Sequence, residues 1–272
     1  MFGFLVKKTF FDLWDNILTI VLLNLGFIPI AAYLFFTLCF FGYNILFLLL
    51  AAASGGYLFY LYTGIASRIL KNISDFKKAK IKYIASYFKE TFKYSLIMGT
   101  ISAFHISTLI TSYVYYLGKL GNTPGVIIFA IIFWISVFWI ISSQYYFPIC
   151  IRLEKNVKKI FMKCFIITID NTFFSISTWI VSLSFFIIPI VLLLHFHNSG
   201  VAVLLGVFVP GISTVLLLQQ NALKLRLYKY DYLEENPEAD RKKIPWDVLL
   251  AKDREKLGPR TLKGMIFPWK EE

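Results

Sequence analysis

The chain reads as an all-α, polytopic membrane helical bundle: six transmembrane helices arranged as three in–out–in hairpins, with amphipathic interfacial elbows and a cytoplasmic C-terminal tail. Three observations predict this. Of 272 residues, 58% are hydrophobic and only 16% charged, against about 25% charged in an ordinary soluble domain. Six apolar stretches are each long enough to cross a hydrocarbon core of about 30 Å as helix. Positive charge, finally, alternates between the connectors. The N-terminus holds Lys7 and Lys8, the connector from Arg68 to Lys93 holds eight cations, that from Arg152 to Lys163 five, and the chain from Lys224 onward twelve. Lys119 is the one cation left for the other side. Lys and Arg collect on cytoplasmic connectors, so the expectation is a multi-pass protein of the inner (cytoplasmic) membrane with both termini inside.

The six-span membrane domain covers 1–220 and the cytoplasmic tail 221–272, with spans at about 17–40, 44–67, 94–117, 125–149, 172–196 and 200–219. Phe41-Gly42-Tyr43-Asn44 makes a tight turn between the first two spans. A re-entrant pair over 17–67 is the alternative, and Lys7 and Lys8 argue against it. Pro29, Pro189 and Pro210 lie inside spans one, five and six, where each removes a backbone hydrogen bond and kinks its helix. Lys7 and Lys8 before an apolar run resemble a signal peptide, but Asp12 and Asp15 intervene and no cleavage site follows, which fits an uncleaved first span.

Two basic connectors carry helical periodicity. In the second, Val157, Ile160, Phe161, Cys164 and Phe165 recur on one face, with Lys155, Lys158, Lys159 and Lys163 around the rest of the wheel. In the first, Ile81, Ile84, Phe88 and Phe92 form a comparable stripe among Lys77, Lys78, Lys80, Lys82, Lys89 and Lys93, with Asp75 near the helix start. Both are expected to lie at the membrane surface as elbows before a span. Their lysines are the candidate contacts to anionic lipid headgroups or to a partner. The net charge of +12 has the same use, since each near-surface cation contributes about 1 kcal/mol on an anionic leaflet. No nucleic-acid-binding signature accompanies it.

A repeat links the even-numbered spans. They end in Arg68 and Lys71, in Arg152 and Lys155, and in Arg226 and Lys229, each pair three residues apart. Parallel triplication of a hairpin gives this pattern, and so does independent snorkelling of cations at helix C-termini. In the tail, a short helix is expected through Trp246–Leu250. Ile266, Phe267 and Trp269 are too apolar for a solvated end, so they dock on the protein itself, on a partner or on lipid.

Chemistry is sparse. There is no Walker A loop, nucleophile elbow or H-E-x-x-H, and no intramembrane carboxylate pair, so no catalytic residue, cofactor or metal is expected. His195 and His197 are too few for a zinc site. Asp170 is expected to cap the fifth span or to pair with Lys163. Cys39, Cys150 and Cys164 are unpatterned and read as buried thiols. His105, Thr111, Ser143 and Gln144 fall among the Ser- and Thr-rich faces of spans three to five, which either pack helices together or line a cavity.

Ser54-Gly55-Gly56-Tyr57 through Arg68, the connector with Tyr87-Phe88-Lys89, and Phe92-Lys93-Tyr94-Ser95 resemble the YesL-like family of bacterial membrane proteins. Tyr145-Tyr146-Phe147-Pro148 followed by Arg152 and a Lys-rich helix is similar to that family's aromatic-Pro segment. The resemblance spans about residues 10–215. It implies an accessory role, because members tend to be encoded beside carbohydrate ABC-importer components. The expected function is thus a non-enzymatic accessory or scaffolding protein with a membrane-protein partner or a second copy of itself. The alternative is a small-solute or lipid transporter using a cavity between spans three to five.

Overall fold

The computed structural model describes residues 1–41, 45–195, 211–241 and 243–260. Every regular element among them is helical. Helix α1 (Phe2–Asp15) is a separate piece, not the lead-in to a span. Its buried positions Leu5, Lys8, Thr9, Phe11 and Asp12 share one face. Helices α2 (Ile17–Leu25) and α3 (Ile28–Phe41) follow. The break between them is set by Gly26, where any Cβ would run into the Tyr62 hydroxyl. That hydroxyl donates to the Leu23 carbonyl at 2.9 Å. Pro29 lies just past this break, within the Ile17–Thr37 segment. It sits in the first turn of α3, where a missing N–H costs little.

Helix α4 (Ile45–Ser74) has 30 residues, or about 45 Å. It outruns a bilayer core, which leaves Arg68 and Lys71 on its last turns. The chain then turns at Phe76, whose φ of +55° is the sole left-handed non-glycine backbone among the described residues. A single 3₁₀ turn (Ile81–Tyr83) leads into α5 (Ile84–Ser112), which ends in a π-helical segment (Tyr113–Leu120) and a left-handed Gly121. The first elbow is thus continuous with its span rather than bent against it.

Helix α6 (Thr123–Ser143) is capped by Asn122, whose side chain accepts from the Gly125 amide at 2.9 Å. Helix α7 (Tyr146–Arg152) extends it. Asn156 caps α8 (Val157–Asp170) in the same way, through the Lys159 amide at 3.3 Å. Helix α9 (Thr172–His195) leaves α8 at an angle of 102°. The last elements are α10 (Ile212–Glu235), α11 (Trp246–Leu249) and α12 (Ala251–Leu257).

Among the described residues, three segments are long and apolar enough to cross a membrane: Ile17–Thr37, Ile81–Leu120 and Thr123–Arg152. Counting the bent α8–α9 pair as one span makes four. Residues 45–67 of the expected 44–67 segment fall within α4, while 42–44, His197, Pro210 and the start of the 200–219 segment lie outside the described residues. Phe35, Phe104, Trp134 and Ile135 point outward from α3, α5 and α6, as membrane-embedded helices require. Cys39 is exposed as well, so only Cys150 and Cys164 are buried thiols. Inside, one apolar cluster joins α1, α7, α8 and α10 around Tyr145 and Tyr146, and a second joins α2, α4 and α10 around Ile69 and Leu70.

Candidate charged interface

At one end of the bundle the four basic segments come together, and most of the helix-end cations turn inward to meet acids. Arg152, 8% exposed, donates from Nη1 to Asp75 at 2.8 Å. Its Nη2 reaches Ser74 Oγ and its Nε reaches Gln220 Oε1, both at 3.0 Å. One guanidinium thus ties α7 to the end of α4 and to α10. Glu90 on α5 accepts from Arg68 at 2.9 Å and, more loosely, from Lys155 at 3.5 Å. Lys229 donates to Asp170 at 2.7 Å and to Asn171 Oδ1 at 3.2 Å. Asp170 is therefore the partner of the tail helix and not of Lys163, which pairs with Glu154 at 3.1 Å. Distance along the chain hides such a choice. Lys71 is half-buried and pairs with no acid among the described residues, and burial pushes its ammonium below the usual lysine range.

Some of the most tightly held groups were not legible as a site. Lys8, 0% exposed, bonds Asp12 at 2.6 Å, and Asn221 of α10 donates to the same carboxylate at 3.0 Å. Burial holds Lys8 below the usual lysine range and Asp12 above the usual aspartate range, each opposed by the other's charge. Lys224 is clasped by Asp253 of α12 at 2.9 Å and by the Ser74 carbonyl at 3.1 Å. The Phe76 ring sits among three ammonium groups, with Lys8, Lys224 and Lys256 at 3.9, 4.8 and 5.4 Å from its centroid. These cation–π contacts offset the cost of about 1–2 kcal/mol for a left-handed non-glycine residue. A Lys and an Asp four residues apart on an N-terminal helix was the available signal; it reads as a surface pair unless the helix is known to be covered.

The two lysine-rich connectors differ. On the first, Lys77, Lys78, Lys80, Lys82, Lys89 and Lys93 are all exposed. Beside them, the apolar residues Ile84, Phe88 and Phe92 also face outward, while α5 packs through Tyr87, Thr91 and Ser95. On the second, the apolar stripe turns inward: Ile160 and Cys164 are buried, and Phe161 and Phe165 lie against Trp139. The stripe expected at the membrane surface is used there as protein core. Lys155, Lys158 and Lys159 stay exposed.

The four candidate cavity residues share no hydrogen bond or ring contact among the described residues. Thr111 is exposed on α5. The Ser143 hydroxyl returns to its own helix at the Ile140 carbonyl, at 2.8 Å. Gln144 is buried and donates to the Ser175 carbonyl at 3.1 Å. His105 lies beside Trp139 with Nε2 buried and unpartnered. A half-open cleft of about 310 Å³ lies instead between α1 and α12, lined by Gly3, Phe4, Lys7, Arg254, Leu257 and Gly258. The tail helix expected at Trp246–Leu250 is α11, and Leu250 and Leu257 are buried against the bundle. Arg260 closes this docking with a bond to Asp15 at 2.8 Å. Ile266, Phe267 and Trp269 lie outside the described residues.

No protein-family model, curated protein or solved structure matches this chain.

Proposed function

We propose that this is a non-enzymatic, six-span accessory or scaffolding protein of a bacterial cytoplasmic membrane, whose basic end rests on anionic lipid and presents a surface to a membrane-protein partner. One observation carries the reading. On the first connector, six exposed lysines lie next to an outward apolar stripe of Ile84, Phe88 and Phe92. A packed soluble face would bury that stripe, and a solvated one would not have it. Together the two are suited to lie in the headgroup region, with aromatic rings below the phosphates and ammonium groups among them. The inward ion pairs support a scaffold, because they bind the connectors to one another.

The test is the quadruple substitution of Lys77, Lys78, Lys80 and Lys82 by Gln, followed by native mass spectrometry of the purified protein. Wild type is expected to retain phosphatidylglycerol over phosphatidylcholine, and the variant to lose that preference while keeping its thermal transition. An unchanged lipid profile rejects the elbow as a lipid contact. Reporter fusions after Lys119 and after Gly258 test the six-span topology, with the first expected outside and the second inside.

A further inference from the structure

Arg226 is the exception among the helix-end arginines. Arg68 has Glu90 and Arg152 has Asp75. Arg226 is only 6% exposed, yet among the described residues it makes no hydrogen bond or ion pair, and its Nε is buried without an acceptor. Its guanidinium lies 3.8 Å from the centroid of Phe174 and 6.0 Å from that of Trp246. Aromatic faces attract the charge but offer nothing to the five N–H donors. The nearby polar groups are occupied elsewhere. Asp170 is taken by Lys229 and Tyr230, and the Tyr145 hydroxyl by Ser175 at 2.9 Å. Asp170 acts on the guanidinium only at a distance and is already bonded by Lys229; a buried charge without a contacting counter-ion costs several kcal/mol, so an arginine kept here calls for a further source of negative charge.

We infer that Arg226 is the anchoring contact of a phosphate-binding site, where phosphate oxygens accept the guanidinium donors that Asp75, Ser74 and Gln220 share at Arg152. Three features select phosphate. The planar fork of Arg matches two oxygens of one oxyanion. Arg226 lies about two turns beyond the expected end of span six, at the depth of phospholipid headgroups. Lys229 is one turn further on and Phe174 lies in the first turn of α9, at the end of the bundle where the proposed function places anionic lipid. The inference rests on that reading for its lipid source. Free inorganic phosphate has the same chemistry.

The experiment follows thermal unfolding of the full chain in a phosphate-free neutral detergent. Phosphatidylglycerol, a phosphate-free galactolipid with the same acyl chains, and inorganic phosphate are added separately. Phosphatidylglycerol is expected to raise the transition of wild type more than the galactolipid does, and Arg226→Met is expected to abolish the difference. A shift with inorganic phosphate that Arg226→Met also abolishes supports the site and identifies free phosphate as its source. If Arg226→Met does not fold, Arg226→Lys decides, because it keeps the charge without the fork: the midpoint concentration for the shift rises at least ~10-fold if the fork binds phosphate. The four-lysine variant runs in parallel and keeps the Arg226-dependent shift, which separates this site from the elbow. Equal responses of wild type and the Arg226 variants, or no response from wild type, overturn the inference.

Discussion

The two basic connectors start from nearly the same amphipathic pattern and end in opposite uses. In the first, helix α5 continues straight from Ile84 to Ser112 and holds its apolar stripe away from the protein. In the second, α8 presses its stripe inward and the chain bends by 102° before α9. The difference comes from what lies beneath. Trp139 and Tyr146 offer α8 an aromatic bed, with Phe161 stacked at 5.5 Å on one and 5.0 Å from the other. At Asn171 the bend is pinned from outside, since the side chain bonds the Ile167 carbonyl and Tyr230 and receives Lys229. Nothing comparable interrupts α5, where Thr91 returns its hydroxyl to Tyr87 within the helix. An amphipathic period thus fixes which residues share a face, while neighbouring elements decide whether that face meets lipid or protein.

The largest expected effect comes from cutting the strap between the connectors. Asp75→Ala leaves Arg152 buried beside only neutral acceptors and should destabilise by about 3–5 kcal/mol, measured by unfolding in detergent. Glu90→Ala, which loosens a half-exposed pair, should cost at most about 1 kcal/mol. Equal losses would mean that the strap is no tighter than a surface pair. Next in size is the stripe itself. Ile160→Ala should cost about 2–5 kcal/mol, whereas Ile84→Ala should stay within about 0.5 kcal/mol. The reverse ranking would exchange the roles of the two connectors.

A smaller effect is expected at the bend. Asn171→Ala removes several hydrogen bonds, each contributing about 1 kcal/mol, and should broaden the distance between spin labels placed on α8 and α9. The same measurement across Thr91→Ala in α5 should show no change. The smallest effect concerns acid. The backbone amide of Asn156 and the side chain of Lys163 hold Glu154 below its ordinary 4.5. A depressed folded value means that its contribution is present above about pH 4.5 and is lost as pH falls through the lowered value. Glu154→Gln should therefore lower the neutral plateau slightly and flatten the acid limb, leaving stability at the acid end unchanged.

The sequence disclosed the helices and the grouping of charge because both follow from short-range pattern. Apolar period and length gave α5, α6 and α9, and Asn122 and Asn156 stand where caps belong. What lies inside was hidden. Lys8 read as a surface topology signal, whereas it is buried against Asp12, which is itself held by Asn221, 209 positions beyond Asp12. Arg152 and Arg226 looked equivalent at the ends of their spans. Only the arrival of Asp75 beside one of them separates the two, and no local spacing encodes that arrival.

The bond from Asn221 to Asp12 spans 209 residues, and this sets a timetable for assembly. At a synthesis rate of about 5–20 residues per second, the interval between the two is roughly 10–40 s. Throughout it, α1 waits with a lysine and an aspartate that have no covered place to go. The first helix made is thus among the last to be seated, since its partners in α10 are made only at the far end of the chain. A chain halted before residue 221 would display an undocked amphipathic N-terminus, a mark by which cellular proteolysis could tell a finished copy from an interrupted one.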